Sequence, residues 1–177
     1  TLKNISRIEG KHIILRFVEE SDAQFILDLR TKEKAKYLSK TDNNLDNQIN
    51  WIKNYKIREK DGKEYYFVIE NKESERIGLV RAYKIEDDSA TSGSWIMLDG
   101  VKTEATLEGV LLLYEFILEY LGKEKIFFDV RKDNKKVWRF HKSYGAVQID
   151  EDELDYFFEF SKDNFKLMKK EYQTLRL

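Results

Sequence analysis

The chain has 177 residues, is 41% apolar, and balances 32 Lys and Arg against 33 Asp and Glu for a formal net charge of -1. That length buries one good-sized core and requires no second domain, and the balanced charge gives no field for nucleic acid or an acidic membrane surface, so a small-molecule partner is expected. With no Cys, and His only at positions 12 and 141, disulfides, Cys-ligated zinc and thiol nucleophiles are excluded and no metal-ligand spacing exists; with no long apolar run and no signal-peptide-like start, a cytoplasmic, metal-free protein is expected.

Residues 12–18 (HIILRFV) alternate and are β-branched, as a half-buried strand should be. In the following EESDAQFILDLR, Ser21 is placed to cap a helix that turns Phe25, Ile26 and Leu29 inward. A second helix is predicted from about 45 to 59, because Ile49, Ile52 and Tyr55 recur at helical spacing, residues 42–44 supply caps, and Asp61-Gly62 ends it. Residues 64–70, 76–86 and 90–98 are strand candidates joined by short polar segments, an antiparallel meander. The period then becomes helical. Residues 103–122 are apolar almost all round except for Glu104, Glu108, Glu115 and Glu119 on one stripe, which predicts a helix lying on a sheet with that edge in water. A short apolar strand follows at 125–131, then a helix opened by Asn134 and closed by Gly145, then an alternating strand at 153–160. No repeat, linker or low-complexity stretch divides the chain.

The order is therefore βααβββαβαβ: one α/β domain of the α+β type, a mixed and mostly antiparallel sheet of about six to seven strands flanked by helices. The helix at 103–122 and the strand after it form a βαβ crossover within that sheet.

Both this order and the stretch DVRKDNKKVWRFHKSYGAV, residues 129–147, resemble the GNAT superfamily of acetyl-CoA-dependent N-acetyltransferases. Its DN..V..FH...GA elements are similar to the superfamily's Asp-Asn, Ala, Tyr, Gly-Phe pattern, and the likeness runs from residue 15 to about 165. The opening LRFVEESDAQFILDLR looks like the ribosomal-protein and sugar-amine acetyltransferase branches. The resemblance implies acetyl-CoA as acyl donor, no metal, and direct attack by a small primary amine, a nucleotide-linked amino sugar first. A protein N-terminus or ribosomal protein is the second acceptor class, and a non-catalytic module that binds CoA or another ligand is the third reading. A monomer or homodimer is expected.

By its position Asn134 can cap the helix it opens, and His141 shares a helix face with Val137 and Tyr144. Read from spacing, such a His is either a hydrogen-bonded core residue or a site residue. The resemblance places Asn134 against the pantetheine arm and His141 where the superfamily carries the Tyr that protonates the departing thiolate, with Tyr144 as reserve donor. Neutral imidazole suits that task, its reference pKa being about 6.5 against about 8.5 for a thiol, and desolvation by Val137 and Trp138 would lower it further.

Relatives hold the CoA pyrophosphate in a glycine-rich loop before the long helix. Here the matching stretch is VKTEATLEG, and Glu104 stands about where a Gly would be. The free N–H groups at the helix start remain, Thr103 can cap, Ala105 and Thr106 are small, and Lys102 can offset Glu104. The expected cofactor set is therefore Leu98, Lys102, Ala105, Thr106, Leu107 and Asn134. No acid occurs in 90–98 to serve as base, which leaves Glu19, Glu20, Asp99, or ordered water beside Ser94 or Thr91. Trp95, Ser94 and Tyr37, with Ser39 and Lys40, are the acceptor-side candidates. A cleft is expected between the strands at 90–98 and 125–131.

Overall fold

The computed structural model describes residues 5–32 and 44–175. Its strands are β1 (Arg7–Glu9), β2 (Ile13–Phe17), β3 (Tyr65–Asn71), β4 (Arg76–Tyr83), β5 (Ser89–Met97), β6 (Lys125–Arg131), β7 (Val147–Glu151) and β8 (Asp155–Ser161). The helices are α1 (Ala23–Thr31), α2 (Leu45–Lys60), α3 (Thr103–Glu115, continued by a π-helical turn at Phe116–Tyr120), α4 (Lys135–Ser143) and α5 (Lys162–Leu175). Among the described residues no helix is long and apolar enough to cross a membrane.

The strands form one 8-stranded sheet in the order β1-β2-β3-β4-β5-β6-β8-β7. The expected six to seven strands fall short by β1 and β7, the two outermost. Edge strands bury little, and in β7 both Val147 (54% exposed) and Ile149 (50% exposed) face solvent, so an apolar/polar alternation tied to burial is lost there.

The apolar periods of the helices dictate the layers. α1 and α2 bring Ile26, Leu29, Ile52 and Tyr55 onto Tyr66, Val68, Leu79 and Ile96 on one face. α3 and α5 bring Leu113, Phe116, Phe165 and Met168 onto Phe67, Val80, Ile126, Phe158 and Phe160 on the other, where α4 also packs through Val137, Phe140 and Tyr144. Each fully buried aromatic or aliphatic side chain contributes roughly 1.5–3 kcal/mol to this sandwich.

Two local expectations are corrected. Ser21 does not cap α1: it lies in a 3-10 turn at Glu20–Asp22, closed by a reciprocal capping box between Glu19 and Asp22. Asp22, fully buried, has the stronger claim on that turn, since its carboxylate accepts two bonds from Arg16 and one each from Arg76 and the Glu19 amide, all at 2.8 Å. Burial alone would raise its pKa, but the Arg16, Glu19 and Arg76 bonds hold it below the ordinary carboxylate value. Second, the glutamates of α3 do not all face water. Glu108 is 1% exposed, and its Oε1 accepts from His12 N (2.7 Å) and Ile13 N (3.0 Å), while Tyr172 donates to Oε2 (3.0 Å). It ties α3 to the start of β2 and to α5. Gly10 makes room for this, since a Cβ there would lie 2.2 Å from Glu108 Oε1.

What positions the site is the middle of the sheet. All neighbouring strands are antiparallel except β5 and β6, which pair in parallel through Ser89↔Lys125, Ala90↔Ile126 and Thr91↔Phe127 and then part. On the other side of β5 the register with β4 jumps from Leu79↔Ile96 to Arg81↔Gly93, so Val80 opposes both Ser94 and Trp95. Ser94 takes a left-handed φ of 53°, and the bulge turns β5 away from β6.

Candidate active site

The fork between β5 and β6 opens a cleft of about 650 Å³, within the usual range for small-molecule sites. The cleft lies where the sequence predicts it. One wall is β5 from Ser92 to Leu98, the other is the end of β6 with α4, and Thr103, Thr106 and Leu107 of α3 close the far end.

Of the expected catalytic pair, His141 lines the cleft and Tyr144 does not. His141 is 6% exposed, with its ring 4.3 Å from that of Phe128 and 5.8 Å from that of Trp95. Burial pushes its pKa down to about 3, so the imidazole is neutral across the physiological range. Phe128 and Trp95 supply that apolar contact in the wall of the cleft; Trp138, expected to help, turns away to donate to Lys132 O at 2.9 Å and pack on Tyr156. Tyr144 stands behind the imidazole, its hydroxyl bonded to His141 Nδ1 and, at 2.7 Å, to the hydroxyl of Tyr114.

Asn134 lines the cleft and occupies the N-cap position of α4, but its side chain makes no capping bond. Its φ of -87° and ψ of 64° lie outside the extended region from which an Asn side chain reaches the helix amides, which corrects the capping expectation. The side-chain amide is left for another partner. Gly145 ends the helix at a φ of +106°, as expected.

At the start of α3 the N-cap is Lys102, without a side-chain capping bond, and Thr106 N is the amide that reaches back to Lys102 O at 3.1 Å. Thr103 cannot cap because it is already the first helical residue. Thr106, Leu107 and Leu98 line the cleft as expected, whereas Lys102 and Ala105 do not. Nor does Glu104, which is exposed, so its carboxylate stays out of the space its charge would spoil.

On the acceptor side, Ser94 and Trp95 line the cleft, and Trp95 Nε1 is buried without a hydrogen-bond partner. Tyr37, Ser39 and Lys40 lie outside the described residues. Of the acids considered as base, Glu19 and Glu20 sit in the turn before α1, where they face Lys56 and Lys53. Asp99 lines the cleft near α3, and so do two acids that sequence reasoning passed over, Asp129 of β6 and Asp155 of β8. Burial raises the pKa of Asp155, Arg131 at 3.3 Å opposes this, and Asp129 adds to it. The available signal for Asp129 was a single acid in the apolar run KIFFDVR. Ser92 and Tyr114 were also missed: nothing in an apolar helix marks one of its tyrosines as the partner of another helix's hydroxyl.

A cleft between parting parallel strands, with a neutral imidazole on one wall and the start of α3 at its far end, suits acyl transfer by direct attack. The family model of the acetyltransferase (GNAT) domain matches residues 12–147. Among solved structures, apo FdhC, described as a nucleotide-linked sugar GNAT, is 38% identical with a TM-score of 0.87, the alignment covering 94% of this chain and 96% of that one. The ribosomal-protein-S5-alanine acetyltransferase from Vibrio fischeri shares the fold at 16% identity and a TM-score of 0.76, over 90% of this chain and 98% of that one. A mutant spermidine N-acetyltransferase SpeG from Vibrio cholerae does so at 18% and 0.73, over 88% and 97%. No curated protein matches the chain. Fold, forked cleft and family match agree, and the chain belongs to the GNAT acetyltransferase family.

Proposed function

We propose that this chain transfers the acetyl group of acetyl-CoA to the primary amine of a nucleotide-linked amino sugar. The observation that carries the reading is the β5/β6 fork with the buried, neutral His141 in its wall. The acceptor class rests on the 38% identity to the nucleotide-linked sugar GNAT.

The amides at the start of α3, beside Thr103, Thr106 and Leu107, are the seat for the pyrophosphate, with the contribution of Ala105 confined to its backbone N–H. Leu98 and Asn134 flank the pantetheine arm. Trp95 and Ser94 bound the acceptor side, with Tyr37 from the segment between α1 and α2, and the unpartnered Trp95 Nε1–H offers a ligand oxygen a desolvated donor. Asp129 holds the incoming ammonium and takes the proton it must lose before it can attack. An N–C bond then forms as the C–S bond breaks, and His141 hydrogen-bonds the sulfur that leaves.

Thermal shift with acetyl-CoA, followed by thiol release against a panel of nucleotide-linked amino sugars, polyamines and N-terminal peptides, tests this. A binder at 100 times its Kd stabilises by about 2.7 kcal/mol. Stabilisation with thiol release on the amino-sugar nucleotides is expected. Stabilisation without release on any amine would leave a binding module, and preference for peptides or polyamines would overturn the acceptor class.

A further inference from the structure

Three hydroxyls run behind the cleft from one arm of the fork to the other. Ser92 is the first residue of β5 past the last β5–β6 pair, and Phe128, on which the His141 ring lies, is the first past it on β6. Between them, the Tyr114 hydroxyl is hydrogen-bonded to that of Tyr144 at 2.7 Å and Tyr144 to His141 Nδ1, and the Ser92 hydroxyl lies close enough to the Tyr114 phenol to bear on its protonation. Ser92 and His141 line the cleft, so both ends of this chain open onto the same space. Tyr114 is 2% exposed, Ser92 8% and His141 6%, while Tyr144 is partly buried.

We propose that Ser92, Tyr114, Tyr144 and His141 form a proton relay that carries the last proton of the attacking amine around the substrate to the CoA sulfur. The inference rests on the acetyl-transfer reading and adds the route by which nitrogen and sulfur exchange a proton.

The members suit a relay because none holds a charge. Burial keeps both phenols protonated, and for Tyr144 the neighbouring Tyr114 adds to it. Burial likewise keeps the imidazole neutral. Each group therefore has one hydrogen to give and a lone pair to receive another, and such chains polarise cooperatively. With the hydrogens pointing from Ser92 towards His141, Nδ1 accepts and Nε2 carries the ring proton. As the C–S bond breaks, Nε2 gives that proton to the sulfur. Nδ1 takes the Tyr144 hydrogen, Tyr144 takes that of Tyr114, Tyr114 takes that of Ser92, and Ser92 takes the proton that nitrogen sheds on becoming an amide. One N–H is lost, one S–H is gained, and no charge remains in the wall. The chain then holds the Nδ1–H tautomer; after product leaves, Nε2 takes a proton from water in the open cleft and the transfers run back along the chain, Ser92 returning one proton to water.

A relay in series has a signature that packing lacks: any broken link stops it, so a second break adds nothing. The test measures single-turnover acetyl transfer and acetyl-CoA affinity for wild type, Tyr114→Phe, Tyr144→Phe, the double variant and Ser92→Ala, with a proton inventory in mixed H2O and D2O. Each single variant should lose about 10- to 100-fold in rate with acetyl-CoA affinity unchanged, and the double variant should be no slower than the worse single. The inventory should be curved for wild type and linear for the variants. Losses that multiply in the double variant, a linear wild-type inventory, or variants within about twofold of wild type would each overturn the relay while leaving the transferase reading intact. Should the phenylalanine variants unfold, Ser92→Ala, which alters the far end by one oxygen, decides: unchanged rate and inventory overturn the relay. A wild-type chain that transfers no acetyl group to any amine overturns the underlying reading and the relay with it.

Discussion

Glu108 and His141 are titratable groups buried almost equally, 1% and 6% exposed, on neighbouring helices of the same face. Their partners differ. The Glu108 carboxylate is bonded by two backbone amides of the β2 start and by Tyr172, all within the protein, so it is committed to holding α3, β2 and α5 together. His141 spends Nδ1 on Tyr144 and keeps the rest of its ring in the wall of a cleft. Burial of a polar group does not by itself point to a site; a buried polar group on a cleft wall, with an edge left uncommitted, makes a candidate.

Replacement separates the two most sharply. Glu108→Ala leaves the His12 and Ile13 amides and the Tyr172 hydroxyl without their acceptor inside the core, and the expected cost is about 3–5 kcal/mol in urea unfolding, with the rate per folded molecule little changed. Intact stability would mean that water fills the gap and that the carboxylate is no clamp. His141→Phe should do the reverse. The ring packing on Phe128 survives and the donor is lost, so turnover should fall by about 10- to 1000-fold with little change in urea midpoint. Wild-type turnover on the true substrate would return His141 to the core.

pH separates them next, because the shifts run in opposite senses relative to charge. The folded pKa of His141 lies near 3 against 6.5 unfolded, so between those values the unfolded chain binds a proton that the folded one refuses, and stability falls as pH drops below 6.5. Between pH 6.5 and 5 that loss is about 2 kcal/mol, and His141→Phe should abolish it. For Glu108, burial is outweighed by the His12, Ile13 and Tyr172 bonds, which hold its pKa below 4.5. Its contribution is therefore present above 4.5 and is lost as pH falls through the lower folded value. Urea midpoints measured from pH 7 to 3 for wild type, His141→Phe and Glu108→Gln resolve the two windows; a wild-type curve flat from 6.5 to 5 would mean His141 is not buried neutral.

The contrast also explains what was legible in the sequence. Elements marked by their own apolar or β-branched runs, such as β3, β4, β8 and α3, could be read directly, and with them the crossover and the place of the fork. Residues decided by a distant partner could not. Glu108 sits on a stripe with Glu104, Glu115 and Glu119, and only the β1–β2 turn at Gly10, 98 positions earlier and packed against it, takes it out of water. Ser21 has the right chemistry for a cap but lost the position to Asp22, which Arg16 and Arg76 hold in place. The Tyr114–Tyr144 bond joins helices 30 residues apart, and neither pattern hints at it.

Glu104 gives the smallest expected effect and tests whether the start of α3, the proposed pyrophosphate seat, is hindered by a carboxylate. By sequence, a carboxylate at a helix start repels phosphate, and Glu104→Gly should tighten acetyl-CoA binding. The fold moderates this, because Glu104 is exposed and does not line the cleft. Its repulsion is then that of one solvent-exposed charge, worth about 0.2–1 kcal/mol and screened over about 8 Å at physiological salt. The Gly that replaces it also costs about 1 kcal/mol of helix stability at the first turn that must hold the ligand. Acetyl-CoA affinity measured calorimetrically for Glu104→Gly and Glu104→Gln should therefore rise by no more than about threefold at low salt, more for Gln than for Gly, and the gain should vanish near 0.5 M salt. A tenfold or larger gain that survives salt would place the carboxylate against the phosphates and make this chain's α3 start a weakened version of the family's loop; a loss for both variants would mean that Glu104 itself takes part in binding.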